Sequence, residues 1–136
     1  MAIRAAEIVN RDFKYLVVWQ KSMEFATKLY VVAKRFPADE KYMLRSQLLR
    51  AVTSISANIA EGNGFQEFPK KQLSVYAISY GSFQETRSWV DLAFRLNYID
   101  DELFRELETE ANEIGRLLFA LMKKVRRELH ESYRRE

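Results

Sequence analysis

Hydrophobic positions recur at three- and four-residue intervals in four long runs of the chain, the spacing that keeps side chains on one side of an α-helix. Trp19, Met23, Ala26, Tyr30 and Ala33 mark a first helix over about 17–35. It closes at Phe36-Pro37, because proline disfavours helical backbone in the residue before it. Leu44, Leu48, Ala51, Val52, Ile55 and Ile59 predict a second helix over about 39–62, with Gly62-Asn63-Gly64 as its stop. A third starts at Pro69, a favoured first-turn residue, and runs to about Asn97, with Gly81 as its one interruption and the place for a kink or a close packing contact. A fourth begins behind Asp100 as N-cap, with Asp101 and Glu102 suiting the positive end of a helix. Its Leu107, Ala111, Ile114, Leu118, Leu121 and Val125 alternate four and three apart, the seam of a coiled-coil-like bundle.

The chain has only four glycines and two prolines, and most of them sit at these breaks. The connections are therefore short and neighbouring helices antiparallel. The expected fold is all-α, an antiparallel up-down four-helix bundle over 16–130. A leading arm at 1–15 and a tail at 131–136 are the expected flexible parts. A chain of 136 residues is one domain long, and its 48% hydrophobic and 30% charged residues are ordinary for a soluble protein. Cysteine is missing, which excludes disulfides, thiolate catalysis and most structural zinc sites and fits a reducing cytoplasm, the expected location. Arg4, Glu7, Arg11, Asp12 and Lys14 break up any signal-peptide run at the start. The longest uncharged stretch, Gln72 to Gln84, falls short of the roughly 20 residues a membrane helix needs.

The two middle helices carry more than one stripe that resists solvation. From Ala51 to Ala60 the second helix has no charge, and Ser46, Thr53, Ala57 and Ala60 give it a small-residue face. On the third, Leu73, Tyr76, Ala77, Tyr80, Phe83 and Phe94 form one apolar face. Val75, Ile78, Trp89, Ala93 and Leu96 form another, read as a candidate subunit interface. An exposed second face would exceed the few hundred Å² usual on a monomer, so self-association is expected. The competing reading is that the third helix is central and covered by its own chain.

Candidate chemistry is sparse. The lone histidine, His130, follows Arg127 rather than a glutamate, so the Glu-x-x-His pairs of a di-metal bundle are missing, and no metal or cofactor is expected. A phosphate loop, a nucleophile elbow and a zinc motif are also missing, so no enzyme activity is expected. Gln47, Arg50, Ser54, Asn58, Glu61, Ser82 and Glu85 form a polar set on the middle helices. A hydrogen-bonded network fixing register or subunit orientation is the simpler account of it. Acid-base chemistry at Glu61 and Glu85 is the other. Lys123, Lys124, Arg126, Arg127, Arg134 and Arg135 crowd the C-terminal end, partly offset by Glu128, Glu131 and Glu136. A cationic helix end is commonplace, and the formal net charge is only +3. Repeated around an oligomer, the cluster would become a collective field for RNA or DNA phosphates. The aromatic residues, Trp19 among them, fall at helical spacing and so read as core rather than as base-stacking platforms.

Phe13-Lys14, Val18-Trp19-Gln20-Lys21, Phe36-Pro37, Ser54-Ile55-Ser56-Ala57-Asn58-Ile59-Ala60-Glu61-Gly62, Gly81-Ser82 with Glu85, and Leu96 to Ile99 together resemble the bacterial four helix bundle family. Its members were first noted as products of intervening sequences in 23S ribosomal RNA genes. The resemblance spans about 13–122 and departs from the family in the turn at Asn63-Gly64-Phe65 and in a longer basic C-terminus. It implies an up-down subunit of a ring, usually a homopentamer. The helix faces and the basic cluster make a non-enzymatic binding or scaffolding module the expected function, with a purely structural, protein-interaction ring that has no nucleic-acid role as the alternative. RNA, DNA or a nucleoprotein is the expected partner beyond the chain itself, with no membrane. More distantly, the chain is similar to the nucleic-acid-binding accessory protein of diversity-generating retroelements, a likeness of fold that does not fix function.

Overall fold

A computed structural model describes residues 12–135. Four helices follow one another: α1 (Val17–Ala33), α2 (Leu44–Asn63), α3 (Pro69–Arg95) and α4 (Asp101–Arg135). Among the described residues no strand occurs, and α3 packs on both α2 and α4 while α1 closes the bundle against α2 and α4. Leu29, Leu48, Val52, Ile55, Ile59 and Leu118 are wholly buried, as the four apolar stripes require.

Local chemistry sets most boundaries. Asp100 accepts a hydrogen bond from the Leu103 N–H at 2.8 Å, the N-cap expected for α4. At the end of α3, Asn97 takes φ 63°. There the Tyr98 N–H donates to the Ala93 carbonyl and the Asn97 N–H to that of Phe94, each at 2.9 Å. This is a Schellman turn with asparagine in the left-handed position that glycine usually fills. The second helix starts later than its sequence predicts. Residues 38–40 make a single 3-10 turn and α2 begins at Leu44, because Tyr42 and Met43 are 82% and 65% exposed and have no core to face. Gly62 also does more than stop the helix. It is buried within the last turn of α2, and a Cβ there would lie 2.5 Å from the Tyr76 ring. Gly115 admits the Phe83 ring in the same way, at 2.7 Å.

The ends also differ from expectation. Residues 13–15, counted with the arm in the sequence, form a 3-10 turn seated on α1. The Phe13 ring meets Trp19 edge-on at 5.0 Å, and the Gln20 amide donates to the Lys14 carbonyl at 2.8 Å. The rest of the expected arm, 1–11, lies outside the described residues. The expected tail is helical through Arg135, since nothing in 126–135 breaks a helix. No helix is long and apolar enough to cross a membrane among the described residues.

Candidate functional site

The antiparallel register of α2 and α3 brings most of the polar set together on the outer side of these two helices. Arg50 Nη2 donates to Glu85 Oε2 and to Gln47 Oε1, each at 2.6 Å, and the Trp89 indole donates to Glu85 at 2.9 Å. One turn along, the Ser54 and Ser82 hydroxyls share a hydrogen bond of 2.8 Å. The Asn58 amide donates to both the carbonyl and the hydroxyl of Ser54. These rungs tie the two helices at one register. The Arg50 and Glu85 side chains are 61% and 36% exposed, so the ion pair contributes no more than about 1 kcal/mol.

Glu61 does not join them. Glu85 is level with Arg50, and Glu61 lies eleven residues farther along α2, about 16 Å at 1.5 Å per residue. It is exposed and without a side-chain hydrogen bond or ion pair among the described residues. The two carboxylates therefore cannot act as one acid-base pair. Nor do the remaining charged hollows present a set of convergent groups. One of about 530 Å³ holds Arg87, Glu108, Arg95 and Asp91, which already pair with each other at 3.6 Å and 2.8 Å. Among the described residues no cluster of His, Cys, Asp or Glu is arranged to hold a metal ion.

The second apolar face expected on α3 divides in two. Val75 and Ala93 are 4% and 1% exposed and belong to the subunit's own core, while Ile78 and Leu96 are 56% and 44% exposed. Trp89 lies between, half-buried over Glu85. At 100° per residue Val75 and Ala93 stand about 60° from Ile78 and Leu96, and the edge of the buried arc passes between them. Covering by its own chain thus accounts for half of that face. The exposed half continues as Ala77, Ile78, Gly81 and Leu92 beside Ala57 of α2. A Cβ on Gly81 would meet nothing within 4 Å. Helix-interior glycine costs roughly 0.5–1 kcal/mol relative to alanine, and no contact inside the subunit uses its smallness.

The basic set occupies the last turns of α4. Lys123, Lys124, Arg126, Arg127, Arg134 and Arg135 are all exposed, and none is in an ion pair among the described residues. The Arg126 guanidinium sits 5.9 Å from the centre of the half-exposed Phe119 ring. Elsewhere along the bundle Lys21 and Lys28 are neutralised by Glu113, Glu106 and Glu110 of α4. Hydrogen bonding to Glu110 holds the Lys28 ammonium above its ordinary value.

Two features had no clear sequence signal: the ring-on-glycine contacts of Gly62 and Gly115, and the buried Gln72 amide. That amide donates to the Gly62 carbonyl at 3.1 Å and to the Tyr76 hydroxyl at 3.3 Å. Burial pushes the Tyr76 phenol up to about 12.

Comparison with known proteins agrees with this architecture. The curated proteins give no match. A crystal structure of a protein of unknown function, from the S23 ribosomal protein family and from Bacteroides thetaiotaomicron, superposes with a TM-score of 0.72 at 31% identity, covering 79% of this chain and 96% of that one. The model of the 23S rRNA-intervening sequence protein family matches residues 14–120. With most of the bundle inside that match, the chain belongs to the 23S rRNA-intervening sequence protein family.

Proposed function

We propose that the chain is the subunit of a homo-oligomeric ring, a pentamer on the family pattern, that works in the cytoplasm as a non-enzymatic binding or scaffolding module and takes RNA or DNA phosphates on repeated basic clusters. The observation that carries the reading is the end of α4, where six exposed basic side chains, none of them ion-paired among the described residues, outnumber the acids Glu128, Glu131 and Glu136 of the same stretch of sequence. One such cluster binds weakly. Several copies held in one assembly give a collective field and release many counterions on binding. The exposed Ile78, Leu92 and Leu96, with Gly81 open, support the assembly half of the reading, since exposed apolar side chains and an unused helix glycine both gain from a close neighbour.

Light scattering on the purified protein, followed by fluorescence anisotropy with a single-stranded RNA and the matching DNA across a salt series, tests both halves. The expected result is an oligomer whose log affinity falls linearly with log salt, with a slope of roughly 0.7 to 0.9 per phosphate neutralised. Charge removal at Lys123, Lys124, Arg126 and Arg127 should flatten that slope. A monodisperse monomer overturns the assembly. An oligomer with no salt-dependent binding to either nucleic acid leaves a purely structural, protein-interaction ring.

A further inference from the structure

Phe119 and Tyr133 fall at helical spacing on α4, yet neither enters the core: they are 50% and 54% exposed. The two rings stand about 21 Å apart along the helix at 1.5 Å per residue, with Arg126 midway between them in sequence. Each ring has a cation beside it. The Arg126 guanidinium is 5.9 Å from the centre of the Phe119 ring. The Lys70 ammonium, reaching across from the first turn of α3, is 5.2 Å from that of Tyr133.

Around the helix the rings and the basic side chains share one face. At about 100° per residue, with Phe119 as origin, Arg126, Lys123, Arg116, Arg134 and Arg127 fall between about −20° and 80°, and Tyr133 at about −40°. All of them are exposed. The two acids of residues 116–135 point away from this arc, Glu131 at about 120° and Glu128 at about 180°. The second half of α4 therefore presents an acid-free stripe in which exposed aromatic rings alternate with cations.

We infer that this face of α4 takes single-stranded nucleic acid, with bases stacked on Phe119 and Tyr133 and phosphates on the cations between them. The inference rests on the nucleic-acid reading above and adds the form of the ligand. In a duplex each base face is covered by its neighbours, so a ring on a helix surface reaches only the sugar-phosphate edge. An unpaired base offers an open π-face, and a cation beside the ring strengthens the stack and lies within reach of the adjoining phosphate. At the 3.4 Å spacing of stacked nucleotides the two rings are about six nucleotides apart. That is a stretch of strand within the roughly 4–16 nucleotides that single-strand-binding folds occupy.

A second copy of the chain fits the stripe less well. On the first half of α4, Glu106 and Glu110 are held by Lys28, Glu113 by Lys21 and Glu108 by Arg87, so these acids are already engaged within their own subunit. Phosphates bring unpaired negative charge, and bases bring the flat faces that match the rings.

Anisotropy titrations of the full-length protein test this with three probes: a labelled single-stranded RNA, the same RNA annealed to its complement, and an abasic DNA strand of equal length. The single-stranded RNA should bind at least roughly tenfold tighter than the duplex or the abasic strand. Phe119→Leu/Tyr133→Leu keeps apolar, helix-forming side chains and every charge. It should lose roughly tenfold or more in single-strand affinity, with the salt slope and the duplex affinity unchanged. Phe119→Tyr/Tyr133→Phe should bind as the parent does. A leucine variant that holds the single strand as tightly as the parent, or a parent that binds all three probes alike, overturns the stacking and leaves phosphate binding in place. A leucine variant that drops to the monomer mass in light scattering gives the face to a second copy and overturns it as well. Absence of binding to every probe removes the nucleic-acid reading itself, and this inference with it.

Discussion

Tyr76 shows how one buried contact sets a response to pH. Its ring closes on Gly62, its hydroxyl accepts from Gln72, and burial pushes its phenol up to about 12. In the unfolded chain the same group titrates near 10. The folded state favours the neutral form, so the stabilisation is complete below pH 10 and is lost as pH rises from 10 through 12. Thermal unfolding should show a loss on the order of 2 kcal/mol over that window, and Tyr76→Phe should flatten it even though it is less stable at neutral pH. Glycines separate by the same residue-level logic. Gly115→Ala forces a methyl into the Phe83 ring and should cost roughly 1–3 kcal/mol in denaturant titration. Gly81→Ala meets open space and should raise the stability of the isolated subunit by roughly 0.5–1 kcal/mol.

Among the elements, the helices were largely legible because periodicity and punctuation are local signals. Asp100 caps α4 as its position before Asp101 and Glu102 indicates. Asp100→Ala should cost about 1 kcal/mol, read as a lower midpoint in thermal denaturation. Arg50, Ser54, Asn58, Ser82 and Glu85 were legible as a polar set, since uncharged surroundings make polar positions conspicuous. Glu61 was wrongly grouped with Glu85 because membership depends on the register between α2 and α3, which no single helix encodes. The division of Val75 and Ala93 from Ile78 and Leu96 failed for a related reason. The width of a buried arc depends on how many neighbours a helix has, and a 60° step decides on which side of its edge a residue lies. The start of α2 was misplaced because Asp39 to Met43 satisfy helix propensity but Tyr42 and Met43 have no core to pack against.

For the whole molecule, assembly is the property on which the proposed function turns. If a second copy packs against the strip around Gly81, Gly81→Arg should leave the subunit folded by circular dichroism and shift light scattering to the monomer mass. A variant that still assembles would move the interface elsewhere. Neither arrangement was legible in one sequence, because helical spacing reports which positions avoid water and is silent on whether the cover comes from the same chain or another.

An even number of antiparallel helices gives the bundle a polarity. Asp12 and Arg135 emerge at one end, together with the connection at 64–68, while the connections at 34–43 and 96–100 close the other. A tag, fluorophore or fused domain attached after Arg135 would therefore crowd the cationic end and distort the binding it is meant to report. A label in the exposed segment around Tyr42 would sit at the far pole and leave that end unobstructed.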